Sequence, residues 1–194
     1  MNVIQQARFL LSITRTQGIA RRYFVVNGFD GALTMLGLIL GFLISSPTSL
    51  DIIINACLGA AIALGMSGIS SAYISEAAER KHDLGKLEEA MIADLQDSAH
   101  GDAARWVPFF IALVNGSAPF FVSLLIITPL WLSNAGFYLP LSPLHIAIIV
   151  ALLLIFMFGV FIGRIANISW LRSGVQTLCV ALLTAMLIYL FTGH

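Results

Sequence analysis

The chain has 194 residues, 59% of them hydrophobic and 10% charged, and its ten basic and ten acidic side chains balance to a net charge of zero. A mean hydropathy of +0.94 excludes a soluble globular domain and leaves an all-α, polytopic membrane protein. Cys57 and Cys179 both sit in apolar runs, with no second thiol or histidine at metal or redox spacing, and read as packing residues.

Residues 1–22 offer too short an apolar core for a signal peptide and no small-residue cleavage site. Arg8, Arg15 and Arg22 recur every seven residues, so this stretch is expected to lie along the membrane surface as an amphipathic helix.

The first span is placed at 23–46 and contains one carboxylate, Asp30. From Gly31 to Ile44 there are 14 residues, too few for the ~20 that a crossing helix needs. The span must therefore recruit Tyr23 to Phe29, which draws Asp30 roughly 9 Å in from Phe24 at ~1.5 Å per residue. A lone carboxylate there costs up to about 3 kcal/mol on insertion scales, a cost that usually marks a functional site. The alternative is that Asp30 caps a shortened helix at the headgroup level, since Asn27, Gly28 and Gly31 around it are turn-prone.

The second span, 52–75, carries no charge through Tyr73, and its helix is expected to continue through ISEAAERKHD until Gly85 stops it. Small residues at Gly37 and Gly41, Ala61 and Gly65, and Gly68 and Ala72 have helix-packing spacing. Residues 76–105 form a cytosolic acidic helical insert with eight of the ten acids against four basic residues. The third span, 106–131, is bracketed by Trp106 and Trp131 and interrupted by Asn115, Ser117 and Pro119, a polar centre expected to face protein. The fourth, 144–163, ends on the Gly159 and Gly163 pair, and the fifth covers 174–192. All ten Lys and Arg residues lie before the first span, between the second and third, or between the fourth and fifth. The positive-inside rule then puts the N-terminus in the cytosol and the C-terminus outside.

Glu76, Glu79 and Asp83 are spaced to line one helical face, with His82 a turn from Glu79. Carboxylates with an imidazole suit Mn²⁺ or Fe²⁺; alternatively this is a solvated face whose acids Arg80, Lys81 and Lys86 neutralise. Glu88 and the acids after it extend the negative field, which concentrates cations without a fixed ligand. Met35 and Met66 offer thioethers within the first and second spans, although methionine in an apolar helix is more often packing. His145 reads as an interfacial ring. No catalytic constellation, phosphate-binding loop or nucleic-acid motif is present, so neither an enzyme nor a nucleic-acid partner is expected.

The first helix FDGALTMLGLILG, the second ending in YISEAAER, and the terminal GRIANISWLRSGVQTLCVALLTAMLIYLFTG together resemble the vacuolar iron transporter family. The resemblance implies a homodimer whose first helices line a path for Fe²⁺ or Mn²⁺ leaving the cytosol, generally in exchange for protons. By that resemblance Asp30 matches the metal-path carboxylate; Glu76, Glu79, Asp83 and Glu88 are expected from their spacing and charge to gather cations, and Met35 and Met66 from their thioethers to line a path. Two departures stand out. The family's second-helix Glu and Met are absent, with Gly68 near the methionine position and Met66 out of register, and the insert is shorter than the family's. The implied metal is substrate, and no permanently bound cofactor is expected. A prokaryotic plasma membrane is the default location, with an organelle or vacuole membrane if the source is eukaryotic. The rival reading is a non-transporting oligomeric scaffold or regulatory protein, or a relative that carries another cation.

Overall fold

The computed structural model describes residues 16–45 and 49–192. Most of the expected surface helix, residues 1–15, lies outside the described residues. What remains is all-helical, with five helices long and apolar enough to cross a membrane. The protein is an integral membrane protein built on helices because a bilayer offers no water to satisfy an open backbone.

The first helix, α1, spans Thr16–Ser45. Residues 16–22, expected to belong to a separate surface helix, continue directly into the span. The helix also passes unbroken through Asn27, Gly28, Asp30 and Gly31, so Asp30 does not cap a shortened helix. In an apolar surrounding every backbone group must find an intrahelical partner, and that demand overrides the weak turn preference of these residues.

The second helix, α2, spans Leu50–Met91 and its 42 residues reach about 63 Å at 1.5 Å each. Gly85 does not stop it. An isolated glycine lowers helix stability but cannot end a helix whose following residues, Lys86 to Ala90, are good helix formers. The stop comes at Ile92, which has a φ of 51°, with the Ala93 amide returning to the Glu88 carbonyl at 3.2 Å. A left-handed β-branched residue is costly, and local bonds hold it: the Leu95 amide donates to Glu88 Oε1 at 3.0 Å. Gly85 is exposed and a Cβ there would meet nothing within 4 Å. Gly85→Ala is therefore expected to stabilise the protein by about 1 kcal/mol, visible as a rise in thermal midpoint in detergent. A fall would mean that the glycine is needed for a bend.

Helix α3, Ala99–Asn134, begins before the expected start of its span because Ser98 supplies an N-cap. Its Oγ accepts the amides of His100 at 3.2 Å and Gly101 at 3.4 Å, and donates to the Leu95 carbonyl at 2.6 Å. Pro108, Pro119 and Pro129 lie buried inside this helix, tolerated because packed neighbours compensate the missing backbone bonds. Helices α4, Pro143–Ile165, and α5, Trp170–Thr192, form a hairpin. The turn closes through the Ala166 amide to Ile162 and the Ile168 amide to Gly163, each at 2.9 Å.

The described residues group into two compact units. One comprises residues 16–24 with Gly65–Ser117, and its core is Ala103, Val107 and Ile111 packed with Ile19 and Tyr23. The other comprises Val25–Leu64 with residues 118–192. Its core draws Met35, Leu36 and Ile39 from α1, Ile53 and Cys57 from α2, Ile126 and Leu130 from α3, and Ala151 and Ala181 from the hairpin. The Gly159 and Gly163 pair packs as its spacing predicts. A Cβ on Gly159 would stand 2.9 Å from Gly174 Cα, and one on Gly163 would stand 2.7 Å from Ser173 Cβ. Gly41 has no such neighbour among the described residues, so these residues do not close the small-residue face of α1 along its whole length.

Candidate functional site

The Val25–Leu64 unit holds Asp30. Gly28 and Gly31 flank it one helical turn apart on a buried face of α1. A Cβ on Gly31 would lie 2.8 Å from Pro119 Cα, and one on Gly28 would lie 3.0 Å from Phe158 Cε1. These glycines let α1 seat closely on its neighbours and leave Asp30 on the exposed side. Among the described residues its carboxylate has no hydrogen bond or ion pair. The helix thus carries an exposed carboxylate inside an apolar span, with nothing among the described residues to neutralise it.

Met35, five residues further along α1, is fully buried in the apolar core, where its thioether acts as packing. Met66 on α2 is 57% exposed.

The residues 16–24 and Gly65–Ser117 unit holds the acidic helix. Sequence spacing puts Glu76, Glu79 and Asp83 along one face, but the structure divides their surroundings. Glu76 is only 4% exposed. Its Oε1 accepts the Tyr23 hydroxyl at 3.2 Å, and its Oε2 lies 3.8 Å from Arg80 Nε. A buried carboxylate needs such partners, so this group ties α2 to α1 rather than standing free to collect a cation. Glu79 and Asp83 are exposed. Glu88 accepts the Leu95 amide and shapes the α2–α3 link. Among the described residues no three His, Cys, Asp or Glu side chains converge on a point that could hold a metal ion.

The sequence does not mark Tyr23 as Glu76's partner. The two residues are 53 positions apart, and no local pattern marks a phenol for that role. A double-mutant cycle between Tyr23→Phe and Glu76→Gln, read as SDS-unfolding free energies, is expected to give a coupling of about 1 kcal/mol. Additive effects would show that the bond contributes nothing.

The polar centre of α3 is buried as expected: Asn115 Nδ2 donates to the Gly68 carbonyl on α2 at 2.7 Å. Gly68 is also the position near which the family resemblance places a methionine. A Cβ there would lie 2.9 Å from Gly116 Cα and 3.3 Å from the Asn115 carbonyl oxygen, so no side chain fits. Near the other end of the chain, His145 Nδ1 is hydrogen-bonded to Ser142 Oγ. Cys57 is buried in the core while Cys179 is exposed on α5, so only the first packs within the chain.

No family model matches the chain. Over 172 residues it is 28% identical to Uncharacterized protein MJ0645 of Methanocaldococcus jannaschii, an alignment that covers 87% of this chain and 86% of that one.

Proposed function

We propose that the protein is a divalent-metal transporter that moves Fe²⁺ or Mn²⁺ out of the cytosol in exchange for protons, acting as a homodimer in a prokaryotic plasma membrane. The observation that carries this reading is Asp30, an exposed carboxylate on an unbroken apolar helix with no hydrogen bond or ion pair among the described residues. Such a group is stable in a bilayer only beside water, a cation, or another protein surface. A second copy packed against α1 would remove it from lipid, and two facing carboxylates would form a site able to exchange a hard divalent ion for protons. The resemblance to the vacuolar iron transporters supports the same role. Glu79 and Asp83, both exposed, raise the local cation concentration, whereas Glu76 is reserved for structure.

The test is Mn²⁺ and Fe²⁺ uptake by proteoliposomes with an acidic lumen. Accumulation that collapses with the pH gradient is expected, together with a cross-linked dimer in detergent. A folded protein that moves neither ion would favour the oligomeric scaffold instead.

A further inference from the structure

We infer that the outer groove of the α4–α5 hairpin binds one anionic phospholipid, its phosphate on Arg164 and an acyl chain along Phe156, Met157, Val160 and Phe161. These five residues and Trp170 line a groove of about 380 Å³. Its shape is fixed by the close glycine packing of the two helices and by the short turn that brings Trp170 in after Arg164. A Cβ on Gly163 would lie 3.3 Å from Trp170 Cα.

The charge pattern points to an anion. Arg164 is exposed and has no ion pair or hydrogen bond among the described residues, and the sequence contains no Asp or Glu after Asp102. An arginine at the end of a spanning helix carries its guanidinium to the headgroup level. Trp170, 53% exposed, is suited to the same level by its amphipathic ring. The groove is otherwise apolar, with Met157 63% exposed. A ligand that satisfies both parts has a phosphate attached to a hydrocarbon chain. Free phosphate would leave the apolar part uncovered, and a zwitterionic lipid would bring its own cation beside Arg164. Arg172 lines a separate groove with Ser169, Leu171, Val175, Gln176 and Cys179, which has no aromatic ring, and so serves as a control for an exposed arginine beside apolar surface without the aromatic lining.

The test uses the full chain, delipidated in detergent, with phosphatidylglycerol and phosphatidylcholine of identical acyl chains and native mass spectrometry to count bound lipid. Wild type is expected to prefer phosphatidylglycerol by about fivefold, the effect of one interfacial arginine. Arg164→Gln should abolish the preference, and Arg172→Gln should keep it. Met157→Trp, which fills the groove, should lower the occupancy of both lipids. Glycerol 3-phosphate should not displace the bound lipid. Equal binding of the two lipids to wild type would overturn the proposal, as would a preference that survives Arg164→Gln or is lost equally in Arg172→Gln. Displacement by glycerol 3-phosphate would also overturn it by reassigning the site to a free phosphate. Unchanged thermal midpoints identify the variants as folded, and Met157→Trp supplies a second route if Arg164→Gln unfolds.

Discussion

Asp30→Asn is expected to lower metal flux in proteoliposomes at least tenfold while leaving the protein folded. The amide has nearly the same size but carries no charge and takes up no proton in the working pH range, so it holds a hard divalent cation only weakly and cannot couple its movement to a proton. The fold should survive because Asp30 is exposed and has no bond to the described residues to lose. Removing a charge from the apolar span should, if anything, stabilise the monomer. A second variant, Glu79→Gln with Asp83→Asn, should weaken uptake only a fewfold and mainly at low metal concentration, since a diffuse field changes encounter rather than the path itself. Glu76 is left out of that pair because its loss would disturb the contact with Tyr23 and confuse transport with folding. Full flux in Asp30→Asn would remove the central support for a metal path through α1.

Gly116→Ala is expected to destabilise the residues 16–24 and Gly65–Ser117 unit strongly. A Cβ at Gly116 would stand 2.8 Å from the Ile69 amide nitrogen and press on the Gly65 carbonyl oxygen. Both are backbone atoms of α2 and cannot rotate away, so α2 and α3 must separate. Separation also stretches the 2.7 Å bond from Asn115 to Gly68, and in an apolar surrounding that amide has few substitutes. Overpacking of this kind costs about 3 kcal/mol, which should appear as a clear fall in thermal midpoint and in the SDS concentration needed for unfolding. Gly59 on α2 is the control, because a Cβ there would meet nothing within 4 Å. Gly59→Ala should be neutral or mildly stabilising. Equal stability of the two variants would mean that the helices do not cross as closely as Gly68 and Gly116 require.

The five spans were legible because a bilayer enforces a local rule. Any segment that crosses it must be apolar over about 20 residues and must satisfy its own backbone. The same rule explains why turn-prone residues around Asp30 stay helical. The Gly159 and Gly163 pair was legible too, since spacing alone puts two glycines on one face, and the following helix is the nearest surface to meet them.

The candidate site was only half legible. Hydropathy alone singled out Asp30, but its exposure depends on how Gly28 and Gly31 seat the opposite side of α1 against Phe158 and Pro119. Spacing grouped Glu76 with Glu79 and Asp83, yet Glu76 is turned onto a tyrosine 53 residues away. Nor could residue type distinguish Met35, enclosed by core side chains, from Met66, left open. Chain order and hydropathy determined which segments are helices and which carry charge into the membrane. Tertiary structure alone decided which of those charges are neutralised. A periodic pattern specifies the face of one helix, whereas a partner is specified only when another helix is packed against that face.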